Sequence, residues 1–297
     1  MRKRKILIVS AMILAFAISV FSVSASAASI HIEKYELKIF QSISDKNVGA
    51  YPSVSVSHDG RYINEQAYII HDTTYIPLRA VSTAFGAEVS FDSQTRSASV
   101  KMQGLDMTVS DGGYIVFANG RPVLSKNPAV ILSDGRMYVP VRSIAKVFSL
   151  DVEWTPERVV KLSGEVTIPT HANHYYRYDE IYWLSRIINA ESRGESLLGK
   201  IAVGNVVLNR TRHKDYPNTI YGVIFDRKYG VQFSPVLNGS IYAAPTYESE
   251  LAAKICLEGF SVSDKILFFL APDKSTSAWI PANRPYAFTV ENHWFFN

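Results

Sequence analysis

Short apolar runs separated by turn dipeptides fill the chain between residues 51 and 164. The turns are marked by Asp59-Gly60, Asn119-Gly120 and Asp134-Gly135, and such dipeptides favour the tight turns of β-hairpins. The pattern predicts a β-rich domain over residues 51–164, and the less patterned residues 28–50 before it are interpreted as a linker.

The predicted β-rich domain contains an internal repeat. The segment Tyr75-Ile76-Pro77-Leu78-Arg79-Ala80-Val81 recurs as Tyr138-Val139-Pro140-Val141-Arg142-Ser143-Ile144. At the same offset Phe85 corresponds to Phe148, Val89 to Val152 and Phe91 to Trp154. Each copy predicts a hairpin, a short helix entered at proline, where the missing N–H costs nothing, and a closing strand. Neither copy is long enough to bury its apolar face alone, so the two are expected to share one core.

Helical periodicity begins after a polar, proline-containing stretch at residues 165–178, which is interpreted as a second linker. Asp179 is a candidate N-cap, and the apolar spacing that follows predicts a helix to Ala190 or Glu191, with Gly194 as the stop. A second periodic stretch from Leu197 to Leu208 predicts a helix packed against the first. The strand-like runs Ile266–Leu270 and Phe288–Val290 are expected to pair. The chain is therefore predicted to be α+β, with a mainly helical domain and a small sheet over residues 179–297.

The first residues have the layout of an export signal. The basic run Arg2-Lys3-Arg4-Lys5 precedes an apolar run from Ile6 to Phe21, and small residues end at Ala25-Ser26-Ala27. This predicts a signal peptide over residues 1–27 that is cleaved after Ala27, with an uncleaved membrane anchor as the alternative. Removing the leader lowers the formal charge from +4 to zero. Neither nucleic acid nor membrane is then an expected partner of the mature chain, which we expect to be secreted.

The cysteine and histidine content gives no reason to expect a cofactor. Cys256 is the only cysteine, and its helical spacing with neighbouring apolar residues predicts a small buried side chain. The histidines do not cluster at metal-ligand spacing in either domain. We therefore expect neither a metal site nor another cofactor.

The carboxyl-terminal domain contains an ordered series of motifs. It opens with Ile188-Asn189-Ala190-Glu191-Ser192-Arg193-Gly194-Glu195, continues with Gly199-x-x-Ala202-Val203-Gly204-Asn205-Val206-Val207-Leu208-Asn209-Arg210 and Gln232-Phe233-Ser234-Pro235, and closes with Asn292-His293-x-Phe295-Phe296. This series resembles the SleB-type cell wall hydrolases, the spore cortex-lytic family. The resemblance implies a lysozyme-like or lytic-transglycosylase-like fold and an enzyme that cleaves the glycan strands of peptidoglycan.

The resemblance implies that Glu191 is the catalytic acid. A carboxyl at a helix end beside packed apolar groups is partly desolvated, which raises its pKa and keeps it protonated. Glu195, four residues after Glu191, is the other candidate for the acid. Alternatively, Glu195 caps the second helix with help from Arg193. An ordinary glycosidase needs two carboxyls about 5–9.5 Å apart. A lytic transglycosylase needs one, because the muramic acid 6-hydroxyl attacks within the substrate and gives a 1,6-anhydro sugar.

Several other residues are candidates for substrate contact. Gln232, Phe233 and Ser234 lie in a predicted loop and offer hydrogen bonds and a stacking face, although Phe233 could equally pack in the core. Trp279 is a candidate for sugar stacking. Asn292 and His293 come from the end of the chain and reach Glu191 only through folding. For His293 the alternatives are orienting the substrate and satisfying a buried carbonyl.

The doubled Tyr-x-Pro-x-Arg segment resembles the copper amine oxidase N-terminal-like domain of exported bacterial proteins. Only His58 and His71 are available in this region, so copper is not expected. The domain is interpreted as a stalk or wall-association module that could bind an accessory wall or spore protein, and Arg79 and Arg142 either contact a partner or pair locally.

Two functions remain as alternatives to the transglycosylase: an N-acetylmuramoyl-L-alanine amidase and an inactive wall-binding surface protein. Cortex and vegetative wall both remain open as substrates, and the resemblance implies that the secreted chain is located in the cell wall or the spore cortex.

Overall fold

Two compact units make up the described part of the chain. The computed structural model describes residues 40, 42–228, 230–273, 275 and 279–297, so the predicted leader at residues 1–27 lies outside the described residues. The amino-terminal unit comprises Ile39–Arg177 with Leu257–Phe260, and the carboxyl-terminal unit comprises Tyr178–Cys256 with Ser261–Asn297. The predicted α+β class is confirmed. Across the described ranges, we find no helix with the length and apolar character needed to cross a membrane.

Strands dominate the amino-terminal unit. One sheet has the order β10-β11-β4-β3-β1-β13-β12, with β2 paired to β1, and a second sheet is the meander β5-β6-β7-β8-β9. The strands are β1 (Ser53–His58), β2 (Arg61–Tyr62), β3 (Ala67–Ile70), β4 (Thr73–Pro77), β5 (Glu88–Asp92), β6 (Ser97–Met102), β7 (Leu105–Ser110), β8 (Ile115–Ala118), β9 (Arg121–Leu124), β10 (Val130–Ile131), β11 (Met137–Pro140), β12 (Asp151–Trp154) and β13 (Val159–Ser163). The helices are α1 (Leu78–Ala84), α2 (Val141–Val147) and α3 (Ala172–Tyr175).

The sequence repeat is a structural repeat. Pro77 and Pro140 directly precede α1 and α2 with nearly equal dihedral angles, φ −57° and ψ 122° against φ −56° and ψ 125°. Strands β4 and β11 pair antiparallel with Ile76 opposite Val139. Because these two residues are equivalent in the repeat, a local two-fold axis relates the copies.

Both copies contribute to one hydrophobic core, as the sequence predicts. The rings of the equivalent residues Phe85 and Phe148 meet edge to face with centroids 5.1 Å apart. Ile76, Val139 and Ile144 are fully buried in the same cluster. Edge-to-face packing of this kind adds to the free energy gained by burying apolar area. The two copies therefore stabilise each other.

Helices dominate the carboxyl-terminal unit. They are α4 (Tyr178–Ser192), α5 (Leu197–Arg212), α6 (Ile220–Ile224), α7 (Ser234–Asn238), α8 (Tyr247–Leu257) and α9 (Trp279–Asn283). The strands β14 (Phe268–Leu270), β15 (Tyr286–Val290) and β16 (His293–Phe296) form a small sheet in the order β14-β16-β15.

Three local predictions for this unit were wrong. The runs Ile266–Leu270 and Phe288–Val290, which were predicted to pair, are not neighbours in the sheet. Strands β15 and β16 form a hairpin whose turn residue Glu291 has a φ of 46°, and β16 lies between β14 and β15. Asp179 is not the N-cap of α4, since the helix already includes Tyr178. Glu195 does not cap α5 either, because the side chain of Ser196 accepts the hydrogen bond from the backbone N–H of Gly199.

Close packing of α4, α5 and α8 is possible because residue 204 is glycine. A Cβ added there would lie 2.7 Å from Sγ of Cys256 and 2.9 Å from Cδ1 of Ile188. Both neighbours are buried, so the prediction for Cys256 is confirmed. Burial also raises the pKa of the Cys256 thiol far above its usual value.

We expect Gly204→Ala to destabilise the carboxyl-terminal unit. Alanine gains about 1 kcal/mol of helix propensity, but overpacking a tight core costs about 1–3 kcal/mol. The net expected loss is about 1 kcal/mol, the middle of a range of roughly 0–2 kcal/mol, measured as a lower midpoint of the unit's transition in calorimetry. Gly194→Ala is the matched control, because a Cβ at Gly194 meets nothing within 4 Å. Equal midpoints for the two variants would contradict the packing argument.

Candidate active site

Glu191 lies in the last turn of α4, at the end of the helix's apolar face. Leu184, Ile187 and Ile188 on that face are fully buried, whereas Glu191 is half-buried. Gly194 follows the helix end, and α5 begins at Leu197. The tight connection holds the carboxyl at the junction of two packed helices, where the sequence predicts it.

The Glu191 carboxyl lines a groove of about 1240 Å³ within the carboxyl-terminal unit. Its walls come from the ends of α4 and α5, the segment before α7, strand β14, helix α9 and the start of β16. The lining includes Glu191, Arg210, His213, Asp215, Tyr216, Gln232, Phe233, Ser234, Phe268, Phe269, Trp279, Arg284 and His293. A groove of this volume accommodates more than one sugar ring.

Burial raises the pKa of Glu191 to about 7. Among the described residues, no group donates a hydrogen bond to its carboxyl, so nothing compensates the desolvation of the charged form. A carboxyl in this state holds its proton near neutral pH and can donate it to a leaving group. This is the environment of a general acid.

Asp215 is the other carboxyl residue among the groove-lining residues that are described. Its side chain is 63% exposed and lies 3.7 Å from Nδ1 of His213. Such a solvated carboxyl resembles an ordinary surface group. The two carboxyls therefore have different environments, one half-buried without a partner and one in water.

The candidates from the Gln232-Phe233-Ser234 motif separate into different roles. Gln232 is half-buried on the groove wall, and its Nε2 donates to the carbonyl of Gly230 at 3.1 Å. Phe233 is 2% exposed, so packing dominates its role. Ser234 is exposed at the start of α7. Gln232 and Ser234 are thus available to a ligand, and Phe233 supports the wall behind them.

Trp279 and Arg284 are exposed side chains that line the groove. Trp279 begins α9 and is 54% exposed. The guanidinium of Arg284 lies 4.4 Å from the ring centroid of Phe268 and 5.4 Å from that of Trp279. The two side chains give this part of the groove an aromatic face beside a positive charge.

A polar cluster adjoins the groove at His293. Oε1 of Glu195 accepts from Nδ2 of Asn292 at 3.1 Å, and Oε2 accepts from the Asn292 backbone N–H at 3.2 Å. Nδ1 of His293 lies 3.7 Å from Oε2 of Glu195, and both side chains are buried. Lys200 donates to the backbone carbonyl of Glu195 and, at 2.6 Å, to Glu248. The cluster joins the α4–α5 connection to the β15–β16 turn.

The cluster sets the ionisation of Glu195. Burial acts to raise the pKa of Glu195, but hydrogen bonds from the side chain and backbone of Asn292, with the charge of His293, lower it below its ordinary value. Glu195, Asn292 and the exposed Arg193 are not among the residues that line the groove, whereas His293 is. The pKa of Glu191 is therefore raised and that of Glu195 is lowered, and of these two carboxyls only Glu191 lines the groove.

Arg210 is the groove residue that sequence reasoning missed. It is 5% exposed, and its Nε donates to the Leu267 carbonyl at 2.7 Å. Its guanidinium lies 5.0–5.4 Å from the ring centroids of Tyr216, Phe233 and Phe268. Burial lowers its pKa. The signal was available, since Arg210 closes the Asn209-Arg210 motif, but nothing local in the sequence shows that the side chain is buried.

Comparison with known proteins identifies both units. Residues 194–296 match the family model described as Cell Wall Hydrolase, and residues 57–162 match that of the Copper amine oxidase N-terminal domain. The carboxyl-terminal unit belongs to the cell wall hydrolase family. Glu191 lies three residues before the matched range of that family model.

The cell wall hydrolase unit has curated and solved relatives. It is 33% identical over 126 residues to a spore cortex-lytic enzyme of Bacillus cereus, covering 42% of this chain and 47% of the relative. The corresponding values for the Bacillus subtilis spore cortex-lytic enzyme are 32% over 117 residues, 39% and 37%. The solved catalytic domain of the germination-specific lytic transglycosylase SleB of Bacillus anthracis is 33% identical, with 42% of this chain and 98% of that chain covered and a TM-score of 0.38. The chain spans less than half the length of these curated relatives.

Proposed function

We propose that this protein is an exported lytic transglycosylase that cleaves peptidoglycan strands between N-acetylmuramic acid and N-acetylglucosamine, with Glu191 as the single acid and base. The observation that carries the proposal is the half-buried Glu191 carboxyl in a groove of about 1240 Å³, with its pKa raised to about 7. The relatives named spore cortex-lytic enzyme support the substrate class.

The proposed reaction has two proton transfers through the same carboxyl. Protonated Glu191 donates its proton to the glycosidic oxygen as the bond from that oxygen to C1 of muramic acid breaks. The 2-acetamido group of the substrate stabilises the positive centre at C1. The muramic acid 6-hydroxyl oxygen then bonds to C1, and its proton passes to the Glu191 carboxylate. The acid is restored, no water is consumed, and the product carries a 1,6-anhydro ring.

The charge of the groove suits this substrate. Arg210 and Arg284 place positive charge among aromatic rings on its walls. Muramic acid residues carry lactyl groups and stem peptides with carboxylates, so the strand is anionic along its length. Arginine over aromatic rings can contact both the sugar faces and these carboxylates.

Mass spectrometry of digested wall tests the proposed reaction. Both purified cortex and vegetative peptidoglycan are incubated with the mature chain, and the soluble fragments are analysed. Fragments that end in anhydromuramic acid, lighter by one water than hydrolysis products, support the proposal. Reducing muramic ends would indicate a hydrolase, and free stem peptides would indicate an amidase. The two substrates also decide between cortex and vegetative wall.

The pH dependence of lysis should report the ionisation of Glu191. Since the first step needs the protonated acid, kcat/KM is expected to fall above an apparent pKa near 7 and to drop about tenfold for each further pH unit. Initial rates of turbidity loss on one peptidoglycan preparation between pH 5 and 9 measure this fall in rate, the alkaline limb of the pH profile. Binding of the Glu191→Gln variant over the same range is the control, because it shows whether affinity also changes. A flat rate up to pH 9 would rule out this acid.

A further inference from the structure

The duplication in the amino-terminal unit produces two equivalent grooves. The first, of about 560 Å³, takes Pro77, Leu78, Arg79, Val89 and Phe91 from the first copy. The second, of about 510 Å³, takes Pro140, Val141, Arg142, Val152 and Trp154 from the second copy. We name them the Phe91 groove and the Trp154 groove.

Each groove is completed by the other copy. Residues 135–137, in the β10–β11 hairpin, line the Phe91 groove, and their equivalents, residues 72–74, line the Trp154 groove. The antiparallel pairing of Ile76 with Val139 relates the two by the local two-fold axis. The grooves therefore have the same architecture, and differences in their side chains act as an internal comparison.

Both grooves expose an aromatic ring at the same position. Phe91 is 45% exposed at the edge strand β5, and Trp154 is 48% exposed at the edge strand β12. Leaving a large apolar ring in water forgoes the free energy of burying it. A half-exposed ring beside a groove offers a flat surface for the apolar face of a sugar.

The cations distinguish the two grooves. In the Phe91 groove, Arg79 donates to the carbonyl of Val89 at 2.8 Å, and Arg136 pairs with Glu65 at 2.5 Å. Both arginines therefore already have partners. For Arg79, the structure agrees with the alternative that this residue pairs locally.

In the Trp154 groove, Arg142 and Lys126 are exposed, and neither has a hydrogen-bond or ion-pair partner among the described residues. Lys146 also lines this groove and donates to the Glu258 carbonyl at 2.5 Å. Three cations thus face one acid, Asp72. A groove with uncommitted cations favours an anionic ligand, because each charge-assisted hydrogen bond is formed without breaking an existing pair.

We propose that the Trp154 groove is a second peptidoglycan-binding site, in which Trp154 stacks on a sugar ring and Arg142 and Lys126 bind a stem-peptide carboxylate. The proposal rests on the proposed function for its choice of polymer, because a chain that cleaves peptidoglycan meets this anionic, sugar-containing strand at high local density. Binding at this groove would hold the enzyme on its insoluble substrate between cleavage events.

Co-sedimentation with purified peptidoglycan freed of teichoic acid tests the proposal. The mature full-length chain carries Glu191→Gln in every variant, so that the polymer is not cut. Arg142→Gln and Trp154→Leu are each expected to weaken binding by about tenfold, and the effect of Arg142→Gln should shrink at high salt. The matched controls Arg79→Gln and Phe91→Leu, in the equivalent groove, are expected to change binding by less than about twofold. Thermal unfolding of each variant shows that the unit is folded.

The outcomes separate this proposal from the catalytic one. Equal binding by Arg142→Gln, Trp154→Leu and the parent would overturn the second site, whatever the parent enzyme cleaves. Equal losses in both grooves would also overturn it, since the uncommitted cations would then not matter. A loss seen only on walls that retain teichoic acid would show that the ligand class is wrong. If only the variants in the Trp154 groove lose affinity, the second binding site is supported even where product analysis rejects the transglycosylase reaction.

Discussion

Glu191→Gln is expected to lower the rate of peptidoglycan lysis by at least about 10³-fold, because general acid and base catalysis each contribute about 10²–10⁴-fold and one carboxyl supplies both. Glutamine keeps the size of the side chain but cannot donate a proton to the glycosidic oxygen. The rate of release of anhydromuramic fragments measures the loss. We expect affinity for the polymer to change little, since the variant keeps the groove walls.

The same substitution should stabilise the carboxyl-terminal unit at alkaline pH. The folded-state pKa of Glu191 is raised from 4.5 to about 7, so the folded unit binds this proton more tightly than the unfolded chain does. Its contribution to stability is complete below pH 4.5 and is lost as the pH rises through 7. Glutamine does not ionise, so the variant avoids the cost of holding a half-buried carboxylate at high pH. We expect its free energy of unfolding to exceed that of the parent by about 1–3 kcal/mol at pH 8 and by almost nothing at pH 4.5.

Asp215→Asn is the matched control for the loss of activity, since it removes the other groove carboxyl. A transglycosylase with one acid should tolerate it with a loss of less than about tenfold. If Asp215→Asn abolishes lysis as Glu191→Gln does, the enzyme uses two carboxyls and the single-acid mechanism is wrong. A Glu191→Gln variant that lyses wall at the parent rate would reject the assignment of the acid itself.

The features that the sequence predicted depend on local spacing. The repeat around Tyr75 and Tyr138 could be detected because the same apolar pattern recurs at a constant offset, and each copy folds into its own hairpin and helix. Helix α4 followed from its apolar periodicity. The position of Glu191 at a helix end beside fully buried residues could be inferred for the same reason.

The features that were missed depend on contacts distant in sequence. All four residues of β16 are buried, so the strand lacks the alternation that would show which face it presents, and nothing local places it between β14 and β15. Glu195 finds its partner in Asn292, which lies 97 residues away. Neighbouring Ser196 is the better helix cap because its short side chain reaches the Gly199 N–H. The cap could not be assigned from the local sequence, because the contact that engages the Glu195 carboxylate comes from Asn292 in the β15–β16 turn.

Glu195→Ala is expected to destabilise the carboxyl-terminal unit by about 1–3 kcal/mol, because it removes a carboxylate that accepts two hydrogen bonds. The deletion leaves the Asn292 amide and backbone N–H without their acceptor and takes away the carboxylate facing His293. Calorimetry of the mature chain measures the change in the transition that Gly204→Ala also shifts. Glu195→Gln keeps an acceptor oxygen and should cost about half as much.

The acid dependence of stability gives a second readout. Because the pKa of Glu195 is lowered in the folded unit, its contribution to stability is present above the unfolded pKa of 4.5 and is lost as the pH falls through the lower folded value. Glu191 acts in the opposite sense between pH 4.5 and 7. The two carboxyls together should give maximum stability near the lower end of that interval. Glu195→Gln should lower stability above that point and make the acid side of the profile flatter, while the fall in stability toward pH 7, which belongs to Glu191, should be unchanged.

Glu195→Gln also separates the two candidates for the catalytic acid. Glu195 does not line the groove and is held ionised, so it has no proton to donate at neutral pH. We expect the folded variant to keep lysis within about tenfold of the parent and to show the same alkaline limb near pH 7, since that limb belongs to Glu191. A folded Glu195→Gln protein that has lost the limb or the activity would transfer the role of acid from Glu191 to Glu195.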